Sequence, residues 1–452
     1  MLEGPLLPSI ILYTIPIILT SLLQLLFNAA DLVIVGRYCG SVSLGAVGAT
    51  GSITGLIVNL FVGLSVGAGV TVAQGIGAGD HQEVQRTVHT SLPTAFVCGV
   101  IMTVVGICCS EPLLKLLDTP ESVLPLSASY LKIYFAGMTF AMVYNFAASI
   151  LRAAGDTKSP LVALSLAGVL NVGLNILFVT AFQMNVAGVA LATTISQGVS
   201  AVLAVIALMR RHDACRLHLK RMRIYREQLW KIIRIGLPAG IQNSLFAVAN
   251  VLIQSAINSF GDVLLSGSSA ASNIEGFAYV CINAFHQTAV NFTGQNVGAR
   301  QMKRVSRIAW MCLICVTVVG GVVGVLAYGL GPQLLSIYIT DSPEAIAYGM
   351  RRLACICLPY FLAGIQEVAT GILRGLGASM APMAIAVVSI CAFRIGWIAT
   401  VFQIPQFHTP ECLFLSFPIS WGINFVFQMA AYVVVYRRRL KQEGIAAQHV
   451  SG

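Results

Sequence analysis

Much of this sequence is written twice, which limits what the chain can fold into. Gln74-Gly75-Ile76-Gly77-Ala78-Gly79, followed by Val84 and Arg86, returns 221 residues later as Gln295-Asn296-Val297-Gly298-Ala299-Arg300, followed by Val305 and Arg307. Leu151-Arg152-Ala153-Ala154-Gly155, ending at Pro160, returns at an offset of 222 as Leu373-Arg374-Gly375-Leu376-Gly377, ending at Pro382. Pro16 and Asn28 return as Pro238 and Asn250 at that same offset. Separate motifs that hold one offset point to a duplicated unit. In an apolar chain, such repeats are a mark of secondary transporters.

Each copy reads as membrane-embedded. The chain is 57% hydrophobic and 10% charged, against soluble averages of roughly 45–50% and about 25%. Apolar stretches lie near 9–35, 46–73, 91–110, 126–149, 160–182 and 187–209, and again near 235–259, 267–293, 308–330, 346–372, 382–402 and 413–436. Each is long enough to cross a hydrocarbon core of about 30 Å as a helix. Strand-like alternation is absent, so a β-barrel is not expected. The first stretch is too long for a cleavable signal, lacks a basic flank and carries Gln24, Asn28 and Asp31.

The net charge of +10 is a matter of topology. With a cytoplasmic N-terminus, every Lys and Arg falls on the inner side except Arg37, Lys115, Lys132, Arg351, Arg352 and Arg394. The opposite loops hold Glu111, Asp118, Glu121, Asp262, Asp341, Glu344 and Glu411. This positive-inside pattern puts both termini in the cytoplasm and removes the case for a nucleic-acid footprint. An even number of spans per half makes the second copy enter from the same side as the first. The expected fold is therefore all-α and integral to the membrane, with twelve transmembrane helices as two six-helix bundles related by a pseudo-twofold axis along the membrane normal. The expected divisions are an N-terminal bundle over 1–209, a basic cytoplasmic linker over 210–234, a C-terminal bundle over 235–436 and a tail over 437–452. The linker reads as an amphipathic connector on anionic headgroups. A substrate path is expected between the halves.

Enzymatic patterns do not survive their context. Gly63-Leu64-Ser65-Val66-Gly67 has hydrolase-elbow spacing but no strand before it, and reads as a small-residue face for close helix packing. Cys312-Leu-Ile-Cys315 lies in an apolar helix and reads as packing. Gly75, Gly77 and Gly79 lack phosphate-loop spacing and a Walker lysine. No set of His, Cys or Asp residues has metal-ligand spacing, so no enzyme and no cofactor are expected.

Acids within spans need a reason, because each costs about 2.5–3.5 kcal/mol at a helix centre on insertion scales. Asp31 lies in the first span, Glu275 in the eighth and Glu367 in the tenth. Each reads either as an ion pair fixing helix packing or as a carboxylate that binds a transported cation. Gln24 is two helical turns from Asp31 on one face. Asn171 and Asn175 present paired amides in the fifth span, and Thr193 and Thr194 lie in the sixth. Gln242, Asn243, Asn250, Gln254 and Asn258 line one side of the seventh span, where they can line a wet cavity or join helices.

Phe27-Asn28-Ala29-Ala30-Asp31 leading to Val35-Gly36-Arg37, with the two Gln-x-x-Gly-Ala and two Leu-Arg-x-x-Gly segments, resembles the multidrug and toxic compound extrusion (MATE) family over nearly the whole chain. The resemblance implies efflux of amphipathic, often cationic, organic compounds coupled to inward proton or sodium flow. It also implies a cation site at Asp31 with Asn171, Asn175 and Thr193, to which the spacing adds Gln24. Some members have a second aspartate where this chain has Asn175. Glu275, Glu367, Gln242, Asn243 and Asn250 are candidates for a polar or substrate site in the C-terminal lobe. The expected partners are small organic substrates and membrane lipids, the expected location is the cell membrane, and the chain is expected to be monomeric. The alternatives are a flippase for lipid-linked saccharides, which calls for several cavity-lining Arg or Lys residues, and a receptor or scaffold that transports nothing. The copies differ at the proposed site: at the 222 offset, Asp31 aligns with Ile253, and Asn171 and Asn175 align with Phe393 and Trp397.

Overall fold

In hydrocarbon, every backbone N–H and C=O must be satisfied within the chain, which leaves helices as the economical solution for these stretches. The computed structural model describes residues 1–116, 119–340 and 342–450, and the side chains of all of these except 41, 49, 52, 53, 56 and 443–450. Asp118 and Asp341, two of the acids assigned to outer loops, lie outside the described residues. Sixteen α-helices run in order: α1 (Leu6–Tyr38), α2 (Ser41–Ala78), α3 (His81–Leu116), α4 (Leu124–Ala136), α5 (Met138–Ala153), α6 (Lys158–Ile176), α7 (Asn185–Met209), α8 (Arg226–Asn258), α9 (Asp262–Gly298), α10 (Met302–Gly329), α11 (Gly331–Tyr338), α12 (Pro343–Ile356), α13 (Tyr360–Gly375), α14 (Met380–Ala386), α15 (Phe393–Ala399) and α16 (Pro410–Val450). Among the described residues there is no strand.

All twelve expected stretches are helical apart from breaks or frayed ends of one to three residues. Nine helical segments are long and apolar enough to cross a membrane alone, among the described residues. Two more spans are broken: α4–α5 bends by 46° at Gly137, and α12–α13 by 47° just before Tyr360. Gly137 and Pro359 correspond at the 222 offset, so the break is duplicated too. The twelfth, α9, is continuous but carries Ser266, Ser268, Ser269, Ser272, Asn273, Glu275 and His286, which dilute its apolar character. Leu12, Val169, Trp310 and Val426 are exposed apolar side chains of the kind that face lipid.

The duplicated motifs turn out to be helix stops. Gly79 adopts φ 69°, and Asp80 N donates to the Gly75 carbonyl at 3.2 Å. Arg300 adopts φ 55°, and Gln301 N donates to the Asn296 carbonyl at 2.9 Å. Gly155 (φ 89°) and Gly377 (φ 81°) repeat the device, with Asp156 N on Leu151 O and Ala378 N on Leu373 O, both at 2.9 Å. These are left-handed caps that satisfy orphan carbonyls at helix C-termini. Glycine takes that backbone without strain, whereas Arg300 holds it at a cost of roughly 1–2 kcal/mol.

The chain divides into two compact units, Leu19–Ser244 (here the N-terminal unit) and Met1–Ile18 with Leu245–Gly452 (the C-terminal unit). The division cuts α1 and α8, not the linker where the sequence placed it. Ile10, Tyr13 and Ile17 of α1 belong to the C-terminal core, and Ile232 of α8 belongs to an N-terminal core with Leu64, Met102 and Phe146.

Within the N-terminal unit, α2 and α8 cross through glycines. A Cβ on Gly63 would lie 2.2 Å from Gly240 N, and one on Gly67 would lie 2.2 Å from the carbonyl oxygen of Ile232. This is the close crossing expected for Gly63 and Gly67, with Gly236 and Gly240 as the partner face. The positions equivalent to Gly67 and Gly236 are Thr288 and Thr14. In the C-terminal unit these are joined by a hydroxyl–hydroxyl hydrogen bond of 2.8 Å.

The expected linker is α-helical only from Arg226, where α8 begins. Between Arg210 and Arg226 it contains one short turn, Leu219–Arg221, and it is pinned to α3. His218 N donates to His89 Nε2 at 3.1 Å, and Tyr225 N donates to Thr90 Oγ1 at 3.1 Å. Cys215 and Leu217 are buried in the N-terminal core, and burial pushes the Cys215 thiol up to about 12. All twelve cysteines are unpaired, Cys312 and Cys315 included.

Candidate functional site

Asp31 is placed by a tight approach of α6 to α1. Gly168 has no side chain, and the Phe27 ring occupies the space where one would stand: a Cβ there would meet Phe27 Cε2 at 1.8 Å. One turn beyond Phe27 comes Asp31; one and two turns beyond Gly168 come Asn171 and Asn175. The Phe27–Gly168 contact therefore sets the register that brings amides to the carboxylate.

Asn175 Nδ2 donates to Asp31 Oδ1 at 2.5 Å and to Asn171 Oδ1 at 3.2 Å. The Thr193 hydroxyl lies 3.3 Å from Asp31 Oδ2 and 3.0 Å from the Val189 carbonyl, so its single proton serves one of them at a time. Asn171 Nδ2 donates to Thr193 Oγ1 at 3.4 Å. Asn175 Oδ1 is buried and has no donor. Asp31 is buried, and among the described residues no Lys, Arg or His pairs with it. Ile34, Val35, Tyr130, Val179, Val186 and Val189 form the apolar cluster beside the site. A buried carboxylate without a counter-charge, next to an orphan acceptor and further oxygens on Asn171 and Thr193, suits a monovalent cation or a proton.

Gln24 is exposed and is not among the groups bonded to Asp31. Two turns of helix keep it on the same side but too far along the axis. Thr194 serves the backbone instead of the carboxylate. Its hydroxyl donates to the Ile133 carbonyl at 3.1 Å, which the bend at Gly137 leaves without a helical partner.

The C-terminal candidates do not come together as one site. Glu275 is an ion-pair member: Arg352 Nε and Nη2 donate to its two oxygens at 2.7 and 2.8 Å, and Arg352 Nη1 donates to Ser268 Oγ at 2.7 Å. Glu367 Oε2 lies 3.4 Å from His286 Nδ1, the same nitrogen lies 2.7 Å from the Glu367 carbonyl, and Arg374 Nη1 is 3.3 Å from His286 Nε2. Gln366 Nε2 donates to Glu367 Oε1 at 3.2 Å. Gln242 and Asn243 belong to the N-terminal unit, not the C-terminal lobe. Asn250 is exposed, and Gln254 and Asn258 are exposed and bonded to each other.

Sequence reasoning missed a buried amide network in the C-terminal unit. Asn424 donates to Gln366, Gln428 Nε2 donates to Asn424 Oδ1 at 3.1 Å, Thr370 Oγ1 donates to Gln428 Oε1 at 2.9 Å and Ser389 Oγ donates to Asn424 Oδ1 at 3.0 Å. The i, i+4 spacing of Asn424 with Gln428 and of Gln366 with Thr370 is the signal that could have found it. Arg394, which the charge count left off the inner side, is buried.

A family model described as MatE matches residues 16–177 and 238–398, two segments that begin at the repeated prolines. The Probable multidrug resistance protein YpnP of Bacillus subtilis (strain 168) is 30% identical over 392 residues, covering 87% of each chain. The Probable multidrug resistance protein YoeA of the same strain is 24% identical over 441 residues, 95% of this chain and 94% of the relative. Among solved structures, the outward-facing conformation of a multidrug resistance MATE family transporter of the MOP superfamily superposes with a TM-score of 0.88 at 22% identity, covering 98% of each chain.

Proposed function

The chain belongs to the MatE family of multi-pass membrane efflux transporters, and on that premise we propose that it is an antiporter that exports amphipathic organic compounds against an inward flow of protons or sodium ions. The observation that carries the coupling role is the buried Asp31 carboxylate, which has no counter-charge among the described residues and is held by Asn175, whose own Oδ1 is left without a donor. A buried charge without a partner is costly. A coupling cation, or a proton on Asp31, removes that cost, so its arrival and departure change the energy of the site. The ion shifts the transport cycle by its differential affinity for the conformers that open to each side. In this reading, Asn171, Asn175 and Thr193 orient the carboxylate and supply neutral oxygens. Glu275 keeps Arg352 neutralised and takes no part in coupling. The substrates are small and organic, membrane lipid surrounds a monomeric chain, and both termini face the cytoplasm.

The test is efflux of a fluorescent organic cation from proteoliposomes, with proton and sodium gradients imposed separately. Wild-type protein is expected to respond to one of the two. Asp31→Asn is expected to lose that response by about two orders of magnitude while remaining folded. Full gradient-driven efflux by the variant would rule out Asp31 as the coupling group.

A further inference from the structure

The C-terminal unit buries three arginines on α12–α15, and they are not alike. Arg352 is neutralised by Glu275 and bonded from all three of its nitrogens, to the two Glu275 oxygens and to Ser268. Arg374 sits with His286 beside Glu367. Arg394, on α15, makes no ion pair among the described residues. Its Nε donates to Ser420 Oγ at 3.0 Å, and its guanidinium carbon stands 4.2 Å from the centre of the Phe417 ring. The Nη groups carry four of the five donors of a guanidinium and reach no described acceptor. A single hydroxyl and a ring face do not replace the hydration that a buried charge gives up. The planar fork that remains open matches a carboxylate or phosphate.

Its place in the duplication adds a second line. Arg394 follows Phe393, the counterpart of Asn171, so the helix that serves the carboxylate in one copy presents a guanidinium in the other. Phe417, the ring against the guanidinium, meets Trp421 edge-on at 6.0 Å, and Phe393, the residue before Arg394, pairs with Trp397 in a tilted contact at 5.6 Å.

We propose that Arg394 is the centre of a recognition subsite for an anionic group on the transported compound. The subsite rests on the transport reading above and narrows its substrates to amphipathic molecules that bear a carboxylate, zwitterions included. The guanidinium supplies the paired hydrogen bonds and the aromatic residues hold the apolar body. Arg352, neutralised by Glu275, is the internal standard for an arginine that is purely structural.

Binding of two dyes to the purified full-length protein tests this by fluorescence anisotropy in neutral detergent: a zwitterionic carboxy-xanthene and its methyl ester, which differ by one anionic group. Wild type is expected to bind the acid about tenfold or more tightly than the ester. Arg394→Met is expected to bind the two alike, and Arg394→Lys, with charge but no fork, to keep only part of the preference. If Arg394→Met does not fold, Arg394→Lys carries the test alone. No acid preference in wild type, or an undiminished preference in the variants, overturns the subsite. Loss of the preference on adding phosphatidylglycerol, with zwitterionic lipid as control, assigns Arg394 to a lipid phosphate and also overturns it. No gradient enters this measurement, so failure of ion-driven efflux would sink the antiport reading and leave the dye comparison intact.

Discussion

In the N-terminal unit, α1 and α6 meet at Phe27 and Gly168, and the next turns bring Asp31 against Asn175. In the C-terminal unit, the corresponding positions are Ile253, Phe393 and Trp397, and the residue after Phe393 is the buried Arg394. The backbone devices survive in both copies: a left-handed cap after α2 and α9, another after α5 and α13, and a bend at Gly137 and Pro359. The side-chain chemistry does not. A cap is fixed by the φ angle that ends a helix, so it persists wherever the helix must end. A charge at a helix face is fixed only by what it binds, so two copies of one fold can carry opposite signs.

Breaking a backbone contact tests this division with the largest effect. Gly67→Val puts a Cβ 2.2 Å from the Ile232 carbonyl, where backbone cannot yield, and is expected to leave no monodisperse protein on size exclusion. A normal elution and melting temperature would refute the close crossing. Next comes Glu275→Gln, which strands a buried Arg352 and should cost about 3–5 kcal/mol in thermal unfolding in detergent. Asp31→Asn removes an uncompensated charge, so its melting temperature is expected to equal or exceed that of wild type. Equal losses in the two variants would make both acids structural. Asn175→Ala should raise the ion concentration for half-maximal efflux by about tenfold, the worth of a charge-assisted hydrogen bond, with little change in substrate affinity. An unchanged ion dependence would remove Asn175 from the site. Thr288→Val is expected to be the mildest. It loses one hydroxyl contact at the crossing that glycine makes in the other copy, about 1 kcal/mol in the same unfolding assay. A loss as large as that of Gly67→Val would show that the two crossings are not counterparts.

Part of the candidate site was legible before any fold was known. Asp31, Asn171, Asn175 and Thr193 are polar residues in apolar helices, and the first two helices that carry them also carry Phe27 and Gly168. Gln24 satisfied the same periodicity and failed, because sharing a helix face does not bring two groups within hydrogen-bond distance. Gln242 and Asn243 failed for another reason: α8 is divided between the units, so residues on one continuous helix belong to different cores. Glu275 had two readings in sequence, and only the position of Arg352, 77 residues away, separated them.

The sequence by itself determined the spans, the duplication, the positive-inside asymmetry and the stops of the helices. These follow from short-range demands: backbone hydrogen bonds closed within a span and carbonyls capped at its end. Tertiary structure alone decided which acid is neutralised and which is not. Asp31 meets Asn175 across 144 residues and Arg352 meets Glu275 across 77, distances that only helix packing can close. Whether a buried charge serves as a structural pair or as a binding group depends on that pairing, because in low dielectric the partner sets its energy.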